Sequence, residues 1–479
     1  MRKLRKKSSF LPLSGIFLAH RATKNLHYFS YLRFLFGLIL NINQFFSDMK
    51  KTFLGIILIL AAAFSFAQDK SLVETLVKNG TLTEDQARKL IKESVVVTPS
   101  NSSTKILTIG GGVQAWYSWG KNSVKSPSSI NASADTNGFE LRYVKVGLNA
   151  EILGGWLIDV VADFGSEGVK RNYLDKVVIS KKFDWEYLPG RFDIGMKKVQ
   201  MGYEQNLDDF ELPAIERSVS TWFFTRPNAY SSDVMKNFGS RAIGLFWSGD
   251  VVYVKGLTYG LALVGGNSYE GSSAYLANFE GNNDLSVYAN VAYHEEGFLK
   301  DRPISWDAGI NFGFAKGGFV RDGFGSTQVW GVNPFFSLRY SNFSFVAEYF
   351  IQGVEDGKYA SARDALPQGV NVILSYKFDA SEIGQIEPIF RFSWLATDSM
   401  GFNPVTMGGF STPGDVYNLY DKAQTFYLGV NWYVIPAVKV AFGYEWGEYR
   451  GAVGNTDGQQ PLASRAMSNA FKASLQVLF

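Results

Sequence analysis

The chain has 479 residues, of which 46% are hydrophobic and only 19% charged, with no cysteine and three histidines. The lack of cysteine excludes a disulfide scaffold, a thiolate metal site and a cysteine nucleophile. Aromatic residues make up 15% of the chain, which is too many for a disordered protein. A mean hydropathy of −0.04, with no apolar run of transmembrane length after residue 67, excludes a membrane protein built of several helices. A soluble all-β protein and an outer-membrane barrel stay open.

The N-terminal region predicts a secretory signal peptide over residues 49–67. A lysine pair, an apolar segment and the small-x-small motif Ser65-Phe66-Ala67 follow one another there. Such a signal is expected at the true start of a protein, yet 48 residues precede this one. We therefore expect residues 1–48 to reflect a start codon placed too early, with a long leader or an anchoring helix as the alternatives.

The charge of the chain depends on this processing. Residues 1–67 contain ten Lys and Arg residues and one Asp, so that their removal leaves 37 basic and 43 acidic residues, a net charge of about −6. A basic, nucleic-acid-binding protein is therefore not expected, and no nucleic acid is among the predicted partners. Two of the histidines leave with this segment, and only His294 remains.

Residues 68–93 predict a short pair of amphipathic helices. Asn79-Gly80 ends the first helix, and Thr83 with Gln86 forms a capping box for the second. Helices this short need a partner, which is either the rest of the protein, as a periplasmic helical hairpin that caps it, or another molecule, as in a self-associating or wall-binding module. Residues 94–104, rich in serine, predict a linker.

From residue 105 onward, apolar residues recur with the period of two that is typical of β-strands. In the segment 438–446, for example, Val438, Val440, Phe442, Tyr444 and Trp446 alternate with small or charged residues. About sixteen strands are predicted, over residues 105–119, 139–151, 156–164, 172–182, 190–198, 238–248, 257–265, 284–294, 305–315, 327–340, 343–353, 368–378, 386–397, 423–433, 438–448 and 467–479.

The connections between these strands distinguish a membrane barrel from a soluble sandwich. Alternate connections are short, as at Ser341-Asn342, and the others are long and polar, at 120–138, 199–237, 266–283, 398–422 and 449–466. Short turns at one end and long loops at the other are typical of outer-membrane barrels. An even number of strands also lets the sheet close, so that lipid faces no unpaired edge. The predicted fold is an all-β transmembrane antiparallel barrel over residues 105–479, preceded by a short helical segment.

Two further features favour the outer membrane. Tryptophan and tyrosine near the predicted strand ends suit the interfacial girdles of such a barrel. The chain ends on Phe479, with Leu475 and Val477 at period two before it, and this pattern resembles the signal read by the barrel assembly machinery. We expect export through the Sec pathway to the outer membrane of a Gram-negative-type bacterium, with outer-membrane lipid, lipopolysaccharide and the assembly machinery as partners.

Several segments resemble the phosphate-selective porin O and P family. The resemblance spans residues 105–479 and rests on the order and spacing of five segments: Phe139-Glu-Leu-Arg-Tyr-Val-Lys-Val-Gly-Leu148, Ile194-Gly-Met-Lys-Lys-Val199, Ala214-Ile-Glu-Arg-Ser218, Gly239-Ser-Arg-Ala-Ile-Gly244 and Gly429-Val-Asn-Trp-Tyr-Val434. It implies a sixteen-stranded barrel, usually a homotrimer, that passes small anions through a pore narrowed by loops.

The longest predicted loop, 199–237, is the third on its side of the barrel, and a loop of this length requires a reason. We expect it to fold inward and constrict the lumen, with an ordinary surface loop as the alternative. Within it, Glu216-Arg217 is interpreted as an ion pair that holds the loop against the wall, or else as a charge pair in the constriction.

The lumen-facing charges decide what the pore passes. The basic candidates are Lys145, Arg191, Lys197, Arg339, Lys377, Arg391, Lys439 and Lys472. The acidic candidates are Asp159, Asp163, Asp193, Asp307, Glu348, Glu387 and Glu445. The third loop adds Glu204, Asp208, Asp209, Glu211 and Glu216 against Arg217 and Arg226.

A mixed wall with an acidic constriction predicts a porin for small hydrophilic solutes and ions that is general or weakly cation-preferring. Anion or phosphate selectivity, as the family resemblance implies, is the first alternative. A non-conducting structural or adhesive barrel, closed by loops 120–138 and 398–422, is the second. An enzyme is not expected, because His294 is the only histidine base and no cofactor or metal motif has the required spacing.

Overall fold

A computed structural model of the chain describes residues 104–125, 131–152, 154–166, 173–225, 238–239, 241–265, 285–319, 327–358, 363–380, 383–402, 418–455 and 465–479. The predictions for residues 1–103, namely the early start or leader, the signal peptide, the helical hairpin and most of the linker, lie outside the described residues. Arg226 lies outside them as well.

Sixteen antiparallel strands form one closed sheet, in which each strand pairs with its neighbours along the chain. The strands are β1 (Thr104–Lys125), β2 (Asn131–Ile152), β3 (Trp156–Asp163), β4 (Leu174–Phe183), β5 (Gly190–Lys198), β6 (Arg241–Asp250), β7 (Leu257–Gly265), β8 (Leu285–Leu299), β9 (Arg302–Phe319), β10 (Thr327–Tyr340), β11 (Phe343–Val354), β12 (Gln368–Tyr376), β13 (Gln385–Ala396), β14 (Asn418–Ile435), β15 (Val438–Asn455) and β16 (Arg465–Leu478). A two-residue segment, Phe378–Asp379, continues β12 along the same neighbour, β13. The predicted all-β barrel is thereby confirmed.

The barrel closes where β1 meets β16, from the pair Gly112–Leu478 to the pair Lys125–Arg465. The last residue extends this seam: the amide of Gly111 donates to the Phe479 carbonyl at 2.9 Å, and the Phe479 amide donates back to the Gly111 carbonyl at 3.1 Å. Closure leaves no strand edge without a partner, which a lipid environment requires because it offers no hydrogen bonds to the backbone.

The two faces of the sheet differ in polarity, as β14 illustrates. Leu428, Val430 and Trp432 are exposed on the outer face, whereas Tyr427 and Asn431, on the inner face, are 2% and 1% exposed. This alternation follows from the strand geometry, because successive side chains point to opposite sides of the sheet. The outer face presents apolar side chains to the surroundings, and the inner face carries the polar ones.

The long-loop end of the barrel differs from the prediction. Most of the predicted loop 120–138 is paired strand, from Trp119 opposite Asn137 to Lys125 opposite Asn131. The strands that flank the predicted loops 398–422 and 449–466 are also longer than expected, since β14 begins at Asn418 and β15 ends at Asn455. Backbone pairing needs no apolar side chains, so a hairpin can continue past the point where its hydrophobic alternation ends.

The described part of the third loop contains two short helices, α1 (Tyr203–Asn206) and α2 (Val219–Thr225). In the part of the chain that the structure describes, neither helix has the length and apolarity needed to cross a membrane.

Candidate functional site in the barrel lumen

The third loop, between β5 and β6, folds into the barrel over its described residues 199–225 and 238–239. All seven residues of α2 are buried, and Met201 has no exposed surface. The helix packs against β11, β12 and β13. A 42-residue surface loop that was surrounded by water would not bury its side chains in this way, so the described part of the loop is an element of the barrel interior.

An apolar cluster joins this loop to the inner wall at the long-loop end of the barrel. The Phe224 ring stacks on Phe350 of β11 with centroids 4.9 Å apart and an interplanar angle of 5°. Phe223 packs edge-on against Phe402, at 6.4 Å. Burial of large aromatic side chains stabilises this arrangement by about 1.5–3 kcal/mol for each one fully buried. This apolar cluster was not predicted from the sequence, because a porin lumen is expected to be polar.

Phe238, near the end of the third loop, fits a notch in the part of the wall that adjoins β11. The notch is formed by Gly313 of β9 and Gly331 of β10, which lie directly opposite each other in the sheet. A Cβ atom at either glycine would lie 2.7 or 2.6 Å from the Phe238 ring. Only glycine leaves room for the ring at these two positions, so Phe238 holds the end of the loop against β9 and β10.

Helix α1 is anchored through a buried carboxylate of β11. Glu348, 3% exposed, accepts hydrogen bonds from the amide of Tyr203 at 2.8 Å and from the Thr221 hydroxyl at 3.1 Å. The side-chain amide of Asn371 donates to Glu348 and to Glu204, at 3.1 Å in both cases. Two buried carboxylates therefore share one donor, and they tie α1 to β11 and β12.

Asp209 is the centre of a buried ion network between the loop and the wall. Its carboxylate contacts Lys145 at 2.5 Å and Arg217 at 2.7 Å, while Lys198 and Arg241 each approach to 3.9 Å. Burial alone would raise the pKa of the Asp209 carboxyl. The four surrounding cations outweigh burial and hold that pKa well below its usual range.

A second carboxylate completes this network from the wall. Asp175 of β4 contacts Arg241 at 2.5 Å and Lys145 at 3.1 Å. It lies where the register between β3 and β4 shifts, at Val161 and Ala162. Because a β-bulge breaks strict alternation, Asp175 and its neighbour Lys176 both line the lumen cavity.

Glu216 and Arg217 are adjacent in sequence but bind different partners. The Glu216 carboxylate contacts Arg142 of β2 at 3.2 Å, and its backbone carbonyl accepts a hydrogen bond from Arg391 of β13. Arg217 instead contacts Asp209 within the loop. Each residue thus fixes the loop through its own contact, and the two side chains do not form the mutual pair that the sequence indicated.

Arg142, which was not among the predicted lumen residues, is 1% exposed and lies in the lumen beside Tyr143, also 1% exposed. The register of β1 against β2 shifts here, from Gln114 opposite Tyr143 to Ala115 opposite Leu141. The bulge turns two consecutive side chains inward. Alternation counted back from Val146 and Leu148 assigns Arg142 to the lipid face, whereas alternation counted forward from Phe139 and Leu141 assigns it to the lumen. This change of phase, together with the unfavourable charge, is the signal in the sequence that could have identified Arg142.

Several other predicted wall residues are buried in contacts. Asp193 has no exposed surface and binds Arg191 at 2.8 Å as well as Lys197. Lys439 donates to the loop carbonyls of Phe210 at 3.0 Å and Leu212 at 3.3 Å. Each of these charged groups therefore has a protein partner.

The remaining predicted wall residues are placed as follows. Asp159 pairs with Lys176, Asp163 is buried and accepts the Val144 amide, Arg391 binds Glu445 at 3.0 Å, and Glu387 binds Asn431 at 3.2 Å. Lys472 is 2% exposed beside Trp116, Lys377 lies over the Tyr433 ring, Asp307 contacts His294 at 2.6 Å, and Arg339 is exposed.

The acidic residues of the loop divide into two groups. Glu204, Asp209 and Glu216 are at most 2% exposed, whereas Asp208 and Glu211 are exposed. A count of loop charges from the sequence therefore overstates the negative charge that faces a solute. The predicted assembly-signal residues Leu475, Val477 and Phe479 lie on β16 and at its end, on the side opposite to the buried lumen residues.

A cavity of about 660 Å³ remains between the loop and the wall formed by β2 to β10. Its lining combines the aromatic side chains of Tyr203 and Phe335, the amides of Gln200, Asn206 and Asn290, and paired lysines such as Lys176. The apolar cluster borders it on the long-loop side, since Tyr288 lines the cavity and packs against Phe238 at 5.5 Å.

No protein-family model matches the chain, and no curated protein does. Among solved structures, it is similar to OprB of Pseudomonas putida, at 11% identity over 77% of this chain and 94% of that one, with a TM-score of 0.47. It is also similar to OmpF of Salmonella typhi, at 15% identity over 80% and 100% with a TM-score of 0.47, and to the outer membrane channel DcaP of Acinetobacter baumannii, at 10% identity over 78% and 97% with a TM-score of 0.45.

Proposed function

We propose that this porin-like barrel is an outer-membrane channel for the passive diffusion of small hydrophilic solutes. The observation that carries the proposal is a closed sheet that is apolar outside and charged inside, with a 660 Å³ cavity beside an inward-folded loop. In a sheet of this kind, the backbone hydrogen bonds of every strand are made with neighbouring strands, as lipid requires, and the polar side chains face the lumen.

Insertion of the purified protein into planar lipid bilayers tests the proposal. A channel gives discrete conductance steps that grow with the KCl concentration. Preparations are first checked for the heat-modifiable migration of a folded barrel, so that an absence of steps cannot be attributed to unfolded protein. A folded, inserted barrel without conductance steps would overturn the proposal.

The channel is proposed to select weakly between ions. Three acidic loop residues that would favour cations are buried, and Asp209 among them is surrounded by cations. The exposed loop acids, Asp208 and Glu211, face a cavity whose lysines are themselves paired. The reversal potential in a tenfold KCl gradient measures the preference, and an anion-to-cation permeability ratio above about ten would instead support the anion-selective alternative and the resemblance to phosphate-selective porins.

The non-conducting structural barrel is retained as the second candidate because of the apolar cluster. Aromatic side chains of the loop, such as Phe224, and of the wall strands, such as Phe350 and Tyr449, meet inside the barrel. A general diffusion pore would hold water at this position. The same bilayer recording separates the two candidates, since a structural barrel inserts without conducting.

Assembly and location complete the proposal. Sec export of residues 68–479, a homotrimeric state, contact with lipopolysaccharide, and recognition of the terminal Leu475, Val477 and Phe479 by the assembly machinery are proposed from the sequence pattern. Cross-linking of intact outer membranes and N-terminal sequencing of the mature protein test the trimer and the cleavage after Ala67.

A further inference from the structure

The lumen cavity has an aromatic surface that packs against a glycine. Phe335 of β10 lies against Gly309 of β9, where an added Cβ would come within 2.5 Å of its ring. Tyr203 of the third loop packs on Phe335, with centroids 5.1 Å apart and an interplanar angle of 35°. Tyr203 and Phe335 are both only partly buried and line the cavity. The wall therefore presents an aromatic ledge, made of these two rings, to a solute.

Neutral amides surround this ledge. Gln200 and Asn206 of the loop are exposed and line the cavity, as does Asn290 of β8. The Asn290 amide donates to Asn311 at 3.1 Å, and Asn311 donates onward to Asn333 at 2.8 Å. An amide held in such a chain keeps a fixed orientation, which is suited to a ligand that both donates and accepts hydrogen bonds.

The lysines of the cavity are already compensated. Lys145 contacts Asp175 at 3.1 Å, Lys176 pairs with Asp159, and Lys198 lies 3.9 Å from Asp209. Among the described lining residues, an anion would therefore find no lysine without a carboxylate beside it, and the carboxylates that stay open to a solute are the exposed ones of Asp208 and Glu211. A hydroxyl group, in contrast, can donate to a carboxylate and accept from an ammonium group without disturbing either pair.

From this lining we infer that the cavity is a binding site for a neutral polyhydroxylated solute of about one to two sugar rings, which places its apolar ring face on Tyr203 and its hydroxyl groups on the amides and ion pairs. The inference rests on the proposed channel function and names its solute class. The cavity volume of about 660 Å³ lies within the range of small-molecule sites.

Single-channel recording with added solute tests the inference. Maltose added to one side of the bilayer is expected to interrupt the KCl current in a saturable manner. Polyethylene glycol of the same hydrodynamic radius lacks the ring face and serves as the control; it should lower the current only in proportion to viscosity. Glucuronate is the charged comparison and should block no better than maltose.

Three variants locate the site. Tyr203→Ala is expected to weaken the maltose block at least tenfold, Tyr203→Phe to retain it, and Gln200→Ala to weaken it severalfold. Tyr187→Ala is the matched control, because Tyr187 is an exposed tyrosine of the turn between β4 and β5 and does not line the cavity. Maltose should block the Tyr187→Ala channel as strongly as it blocks the channel of the unmodified protein.

The outcomes separate this inference from the channel function. An open channel in which maltose acts only like polyethylene glycol, or in which only glucuronate blocks, would overturn the neutral-solute site and leave the channel intact. If the folded protein does not conduct, equilibrium dialysis of labelled maltose against the detergent-solubilised protein tests the site on its own. Binding that Tyr203→Ala removes would support the solute site without the channel function. An absence of binding would reject the solute site as well as the channel function.

Discussion

The carboxylate of Asp209 in the third loop lies 2.5 Å from the ammonium group of Lys145 on β2, and both side chains are almost completely buried. The two residues are 64 positions apart in the chain. Their contact fixes the middle of the loop against the wall at a point where Arg217, Lys198 and Arg241 also converge. This carboxylate is therefore one of the contacts that set the position of the loop and, with it, the shape of the cavity.

Asp209→Asn is expected to loosen the third loop. Removal of one partner from a buried ion pair costs about 3–5 kcal/mol, because the remaining charges lose their compensation. We expect a lower unfolding temperature in detergent and a reversal potential shifted toward anion preference. Asp208→Asn is the matched control: it removes the same charge from the exposed neighbouring residue and should leave the unfolding temperature unchanged. Equal changes in unfolding temperature for the two substitutions would contradict the central position of Asp209 in the ion network.

The contribution of Asp209 to stability should persist in mild acid. The folded-state pKa of this carboxyl is lowered. Its contribution to the free energy of unfolding is therefore complete above the unfolded-state pKa of about 3.9, and it is lost as the pH falls from there through the lowered folded-state pKa. The difference in unfolding temperature between the unmodified protein and Asp209→Asn is therefore expected to stay constant from about pH 7 to pH 5 and to shrink only below about pH 4. A difference that already declines near neutral pH would show that another group is responsible.

Because the Phe238 ring packs against Gly313 and Gly331, a side chain introduced at either glycine is expected to displace the loop from the wall. Gly313→Ala places a methyl group 2.7 Å from the Phe238 ring and 2.8 Å from Tyr288, and overpacking of this kind costs about 1–3 kcal/mol. We expect a lower unfolding temperature and a larger or noisier single-channel conductance. Gly138→Ala provides the comparison, since no atom lies within 4 Å of a Cβ added there.

Phe238→Ala tests the same contact from the loop side. Truncation of a buried phenylalanine costs about 3–5 kcal/mol, and the loop end should lose its hold on β9 and β10. The expected result is again a larger conductance. If the currents of Phe238→Ala and of the unmodified protein coincide, the ring does not limit the pore.

Deletion of Phe479 is expected to reduce barrel assembly while export continues. The residue supplies both backbone hydrogen bonds to Gly111 at the closing seam, in addition to the proposed recognition by the assembly machinery. Heat-modifiable protein in outer-membrane fractions measures assembly, and the signal-cleaved chain in the periplasm measures export. Phe479→Tyr retains the aromatic ring and the backbone, and should assemble normally; full assembly of the deletion variant would refute the proposal.

The number and order of the strands could be predicted from the sequence because alternation is a local property, and the closed barrel could be predicted because short and long connections alternate along the chain. Leu428, Val430 and Trp432 are apolar at every second position whatever their partners are. Wherever lipid lies on one side of a strand and polar groups on the other, this period of two follows directly from the strand geometry.

Only the tertiary structure decided which charges face the solute. Arg142 and Asp175 point inward because bulges in their strands shift the alternation, and a bulge is defined by the register with a neighbouring strand. Glu204, Asp209 and Glu216 are buried because they meet partners from β2, β12 and β13. Those contacts join residues that are far apart in the chain, so they cannot be predicted from the loop sequence alone. The alternation of apolar and polar residues, in contrast, lies within the sequence of each strand.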